Sequence, residues 1–260
     1  MEVTWHKTAC FTIEEGDTTL LVDPFLPLNS DKEEKERLFS LFLRASFLLV
    51  THNHFDHAMP VPALVQANPA LPVYGTKDVL RTLSSLGVPE ENLHEIRAGE
   101  RFFCGSFSIR PYPSVHMRYA FYRLPALGIR CLLHLSECRQ ILRLNRPFDR
   151  VVHGAREILL FDVEGKDKRV QIMGSMGLKE DVVYPTGADL LLLAYAGAFR
   201  PQQKALSYAK RLAPQKILPH HFDDTYPPLT SKENLAPLKR TLEKSGFCYL
   251  SPKAEEKIVL

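Results

Sequence analysis

Cysteine is scarce and scattered in this 260-residue chain. Cys10, Cys104, Cys131, Cys138 and Cys248 are an odd set without a CxxC pair, so neither a disulfide framework nor a thiolate zinc site is expected. They read as reduced, mostly buried thiols of a cytoplasmic protein. Long apolar runs are missing too. The longest, Leu190 to Phe199, is about half the length of a membrane span. Met1 to Lys7 (MEVTWHK) carries charge and lacks the apolar core of a secretion signal. An excess of one charge is also absent: 33 basic residues against 30 acidic leave +3, too little to argue for a nucleic-acid or membrane partner. No repeat at a period of about 20–50 residues, no low-complexity tract and no Pro/Gly/Ser linker divides the chain. These absences leave a soluble, cytoplasmic globular protein, read as one domain over residues 1–260.

The residues that are present and informative are concentrated in Leu48 to Ala58 (LLVTHNHFDHA). The apolar run Phe47-Leu48-Leu49-Val50 predicts a short buried strand. His52, His54, Asp56 and His57 come next, within six positions, at the C-terminal end of that strand, where open α/β sheets place ligands. Crowded imidazoles and a carboxylate are hard to bury unless a divalent cation holds them. On an extended backbone His52 and His54 point the same way and can grip one ion. The adjacent Asp56 and His57 point elsewhere and can grip a second, about 3.5–4 Å from the first. A merely solvated loop would account for one histidine, not for three with an aspartate.

His52-Asn53-His54-Phe55-Asp56-His57 resembles the HxHxDH signature of the metallo-β-lactamase superfamily. The resemblance covers nearly the whole chain and implies an α/β fold, a four-layer αββα sandwich. It assigns His52 and His54 to one metal and Asp56 and His57 to another. It implies a third histidine for the first metal at the end of a strand, and His116 comes after Phe107 to Tyr112. It implies a closing histidine after a late strand. The branch of ascorbate-phosphate lactonase-like proteins has Pro-x-His there, which selects His221 in Pro219-His220-His221 and leaves His220 to point away or reach substrate. Asp23, in the Asp23-Pro24 turn before the metal loop, is a candidate to orient a metal-bound histidine; an Asx-turn before proline is nearly as good an account. The chain departs from the pattern at Ser175. Many members carry a metal-bridging aspartate at that point, and a neutral hydroxyl cannot supply its charge. Asp223 or Asp224 could fold back as the replacement, with turn capping before Tyr226-Pro227-Pro228 an equal alternative.

Periodicity and turn residues predict strands at 2–6, 9–13 and 18–22, helices over 31–45 and 77–86, a hairpin over 157–174 and a last helix over 231–245. Residues 117–150 form an excursion carrying Arg118, Arg123, Arg130, Arg139, Arg143, Arg146 and Arg150 against Glu137 and Asp149. It reads either as a basic lid for an anionic substrate or as a solvated or subunit-contacting helical insertion.

The resulting expectation is a metal-dependent hydrolase. A bound metal lowers the pKa of water from about 15.7 to about 7, for attack on an ester, lactone or phosphodiester of a small, anionic molecule. Asp56 would orient that water or take its proton. Zinc, as one or two ions, suits the histidine-rich set, and the carboxylate also admits manganese or iron. Neither nucleic acid nor a membrane is expected as partner; a homo-oligomer is compatible. Ser175 motivates the alternative of a metal- or ligand-binding protein with little hydrolytic activity.

Overall fold

A computed structural model describes residues 1–117, 120–150 and 157–260. Arg118 and the Arg150 side chain, both counted above in the excursion, lie outside the described residues.

Strands β1 (Glu2–Trp5), β2 (Phe11–Glu15) and β3 (Thr18–Val22) form an antiparallel meander. Gly16, at φ +58°, supplies the left-handed residue of the β2–β3 turn. Three short strands, β4 (Phe47–Leu49), β5 (Val73–Gly75) and β6 (Leu93–Glu95), then add in parallel. The second sheet begins antiparallel with β7 (Phe102–Cys104), β8 (Phe107–Ser114), β9 (Ile158–Glu164) and β10 (Arg169–Met173). It continues in parallel through β11 (Leu190–Ala194), β12 (Lys216–His220) and β13 (Cys248–Tyr249). Strand β14 (Lys257–Val259) returns to pair with β1. The sheet orders are β14-β1-β2-β3-β4-β5-β6 and β13-β12-β11-β10-β9-β8-β7.

All the parallel connections but that from β10 to β11 carry helices, as crossovers between parallel strands usually do. These are α1 (Lys32–Phe42), α2 (Phe55–Ala58), α3 (Val61–Ala67) and α4 (Lys77–Ser85) on the first sheet. The excursion folds as α5 (Leu124–Leu133) and α6 (Leu135–Arg150). On the second sheet lie α7 (Pro201–Leu212) and α8 (Ala236–Lys244). Asp31 caps α1 by accepting from Glu34 N, and Pro201 occupies the first turn of α7. The last helix is shorter than expected. Pro237 sits in its first turn and disfavours helical backbone before it. Glu233 N donates to Phe222 O, which keeps residues 231–235 in a loop.

Two apolar clusters explain the layers. Phe11, Ile13, Leu20 and Val22 of the first sheet meet Ile109, Phe161 and Val170 of the second, and Ala205, Leu212, Leu238 and Leu242 join from α7 and α8. Leu38, Phe42, Leu64 and Leu83 of α1, α3 and α4 cover the other face of the first sheet. Within β4, Leu49 belongs to the inner cluster and Leu48 to the outer one. Successive strand residues face opposite sides, so a strand buried on both faces must be apolar throughout. The architecture is the expected αββα sandwich.

His6, just beyond β1, is buried in this framework with Nε2 against Thr12 Oγ1 at 2.9 Å. Burial pushes its pKa down to about 4, so the fold keeps it neutral. Below the ordinary imidazole value of 6.5 the unfolded chain takes up a proton that the fold resists, and stability is lost as pH falls from there towards about 4. The loss attributable to this ring reaches about 3 kcal/mol. Urea unfolding across that pH range should show His6→Gln losing less stability than the wild type, by about that amount.

Candidate metal centre

The buried strand β4 delivers its chain end to the rim shared by the two sheets. Asp23, one residue past β3, fixes the position of the loop after β4. Its Oδ1 accepts from Thr51 N at 2.7 Å and its Oδ2 from Thr51 Oγ1 at 2.6 Å. The same Oδ2 lies 2.7 Å from His57 Nδ1. The aspartate therefore does more than form a turn before Pro24: it sets the ring of a candidate ligand. Gly174, just after β10, lets this loop approach, since a Cβ there would lie 2.4 Å from Thr51 Cβ.

The six expected ligands fall into two groups, His52 with His54 and His116, and Asp56 with His57 and His221. Within each group the ligand atoms all lie within 4.8 Å of one another. In the first, His52 Nε2 is 3.0 Å from His54 Nδ1, and the His116 ring centroid is 4.7 Å from that of His54. In the second, Asp56 Oδ2 is 3.3 Å from His221 Nε2 and 3.8 Å from His57 Nε2. The groups adjoin, with the His52 and His57 rings 4.0 Å apart. His116 and His221 arrive just after β8 and β12, so the centre draws on both sheets.

His221 takes φ +61°, a conformation that costs an L-residue energy and persists only where its surroundings impose it. Thr8, in the turn between β1 and β2, imposes it: its carbonyl accepts from His221 N at 2.9 Å, and its N donates to Asp223 Oδ2 at 2.9 Å. Asp223 is thereby tied to a backbone amide. Asp224 Oδ1 accepts from Thr230 Oγ1 at 2.6 Å. Asp224 thus caps the turn, and neither aspartate is among the two ligand groups, although Asp223 lines the cavity of His221 with Oδ1 buried and unpaired. Ser175 Oγ accepts from Met117 N at 3.1 Å and so holds the segment that carries His116. His220 points away into the core, its ring edge-on to Phe11 at 5.1 Å, and burial pushes its pKa down to about 3. It does not reach substrate.

Tyr226 is a functional residue that sequence reasoning misses, because its only local signal is a place beside a Pro-Pro turn. Its hydroxyl donates to Asp56 Oδ2 at 3.1 Å. It lines a cavity of about 330 Å³ together with Met117, Leu127, His221 and Leu229. It also lines a smaller one of about 180 Å³ with His54, Asp56, Ile141 and Asn145. The hairpin α5–α6 thus supplies walls to both, and Asn53 Nδ2 donates to Phe148 O of α6 at 2.8 Å.

Burial, with His57 and His54 adjacent, holds His52 well below the usual imidazole range. Burial likewise lowers His116, whose Nδ1 faces Met117 O at 2.9 Å and leaves Nε2 as the lone-pair nitrogen. For His57 burial works in the opposite direction to Asp23 and Asp56, which prevail and raise it. Burial opposes ionisation of Asp56 as well, yet His57 and His221 hold its carboxyl below the usual carboxylate range. His52 and His116 therefore offer neutral lone pairs, while His57 lies between two carboxylates that favour positive charge there. Five imidazoles and one carboxylate so arranged fit divalent cations of the zinc type.

A family model described as the beta-lactamase superfamily domain matches residues 2–221. A UPF0173 metal-dependent hydrolase of Polaromonas is 26% identical over 230 residues, covering 85% of this chain and 77% of the relative. One from Pyrobaculum arsenaticum is 21% identical over 227 residues, covering 87% and 86%. Among solved structures, the metallo hydrolase Igni18 of Ignicoccus hospitalis superposes with a TM-score of 0.69 at 16% identity, over 99% of this chain and 97% of that one. The metallo-β-lactamase fold protein YhfI of Bacillus subtilis gives 0.65 at 14%, over 99% of each chain. These structural likenesses establish the fold.

Replacing Asp23 by Asn should leave the fold intact and free the His57 ring. Loss of such an orienting partner weakens metal affinity about 10–100-fold, which zinc competition with a chromophoric chelator will measure.

Proposed function

The chain belongs to the beta-lactamase superfamily, with the metallo-β-lactamase fold, and on that premise we propose a metal-dependent hydrolase that cleaves an ester, lactone or phosphodiester bond of a small molecule. The observation that carries this reading is the pair of adjoining ligand groups beside two cavities, His221 lining the larger with Met117, Leu127 and Leu229, and His54 and Asp56 lining the smaller. His52, His54 and His116 would hold one cation and Asp56, His57 and His221 a second, with zinc the best match to the donors. A cation in such a site supplies an acidified water and polarises the bond under attack.

The chain's own residues do the rest. Asp56 is the sole carboxylate of the two groups; it orients the attacking water and takes its proton at Oδ2. Tyr226 Oη holds that oxygen in place. Asp23 keeps the proton of His57 on Nδ1, so that Nε2 faces inward. Met117, Leu127 and Leu229 exclude water on the substrate side.

Among the described residues of the excursion, no arginine lines either cavity beside the metal centre. Arg123 is bound by both oxygens of Glu233, and Arg130 Nη1 donates to Thr230 O. Arg139, Arg143 and Arg146 face outward. An anionic group on the substrate would be drawn by the cations themselves, while the walls suit an apolar body. The Pro219-His220-His221 pattern keeps a lactone among the candidate bonds, and the dispersed free thiols suit a cytoplasmic setting.

A second reading, a metal-binding protein with little turnover, draws on Ser175. Its hydroxyl is engaged with Met117 N, and neither nearby aspartate belongs to the two ligand groups. Metal counting separates the two. The hydrolase reading expects two equivalents per chain, with turnover abolished by His54→Ala or Asp56→Ala. One inert equivalent, with no turnover over a broad panel of esters, lactones and phosphodiesters, would leave the binding protein. Tyr226→Phe should keep the metal and lower kcat about tenfold, the scale of one hydrogen bond to a charged group.

A further inference from the structure

The outer face of the α5–α6 hairpin differs from the rest of the surface. Elsewhere among the described residues, exposed large apolar side chains are scattered singly, as is ordinary. Here Phe121, Ile129, Leu132, Leu133, Leu135 and Leu142 crowd one short stretch. Leu132 and Leu133, where α5 gives way to α6, are 71% and 75% exposed. Along α6, Leu135, Arg139, Leu142 and Arg146 are exposed and recur at helical spacing, so they share one face, with Arg143 beside them. The opposite side is packed: Ile141 and Phe148 are buried in the outer apolar cluster, Leu127 walls the larger cavity, and Ile141 walls the smaller one, whose rim Leu142 also reaches from the exposed face. The leucines on the outside are therefore not left over from a poorly packed core.

The chemistry of that face selects its occupant. Residues 121–150 contain six arginines and two acidic residues. Of the acids, Glu137 is bound by Ser136 and Asp149 by Asn145. A second copy of this chain docked about a two-fold axis would set the arginines against their own images. An anionic lipid surface accommodates both components: leucines enter the acyl boundary while guanidinium groups stay level with the phosphates. We infer that the outer face of the α5–α6 hairpin docks this protein onto an anionic lipid surface. No helix among the described residues is long and apolar enough to cross a membrane, so the contact is interfacial. The expectation of no membrane partner rested on spans and net charge, neither of which registers a local face of this kind. Docking holds the cavities beneath the hairpin close to the lipid, independently of the bond that the metal centre hydrolyses.

Flotation of the metal-loaded protein with vesicles of phosphatidylcholine, with and without phosphatidylglycerol, tests this. Partitioning should be at least about tenfold stronger on the anionic vesicles. Leu132→Asp with Leu133→Asp, and separately Arg139→Glu with Arg143→Glu, should each lower it about tenfold while circular dichroism and metal content stay unchanged. Equal partitioning on both vesicle types, or none on either, overturns the proposal. So does a dimer in light scattering that the leucine changes dissolve without altering vesicle binding. Metal content and turnover are read separately, so a failure of the hydrolase reading leaves this result interpretable.

Discussion

One carboxylate organises the centre. Asp23 accepts two hydrogen bonds from Thr51 and holds His57 Nδ1, all inside a region that water does not reach. A buried carboxylate is costly unless its acceptor capacity is met by donors, and here three donors meet it. The same bonds join the end of β3 to the loop after β4, so the position of the metal loop and the orientation of its histidine are one decision. Gly174 completes the arrangement from the other sheet by leaving room for Thr51. Substituting any larger residue there would displace the group that Asp23 holds.

The contiguous part of the site was legible in the sequence because a strand end and a short loop keep neighbours in sequence neighbours in space. His116 and His221 could be placed only through the family resemblance, which sets a histidine after each of two strands, and in the fold both strands run to the same rim. Tyr226 could not, because its partnership with Asp56 depends on the path of a loop 170 residues away. The fates of Asp223, Asp224 and Ser175 were hidden for a related reason. Asp224 has a local partner in Thr230, which sequence cannot rank against metal ligation, whereas Asp223 meets Thr8 and Ser175 meets Met117 only through the tertiary fold. The layer order came from the family resemblance rather than from strand patterning, and the start of α8 differs from expectation because the pull of Phe222 O on Glu233 is tertiary.

The hairpin α5–α6 shows how one insertion can carry two jobs. Its inner residues are committed to the apolar cluster and to the cavity walls, and Asn53 ties the metal loop to its far end. Its outer residues, Leu142 at the rim of the smaller cavity excepted, take no part in those duties, and their leucine and arginine pattern belongs to the surface. Substrate access and surface chemistry are therefore joined through a single pair of helices, while the strands beneath keep the ligand geometry fixed.

The two ligand groups do not sit within one sheet. Each mixes residues from the loop after β4 with a histidine that comes after a strand of the other sheet. A cation held there acts as a rivet between two layers that otherwise adhere through non-directional apolar contact. Its binding free energy then adds to the cohesion of the whole sandwich, growing with the logarithm of the free cation once the site fills. Such a protein is a metal gauge as well as a catalyst: its resistance to unfolding records how much free cation surrounds it.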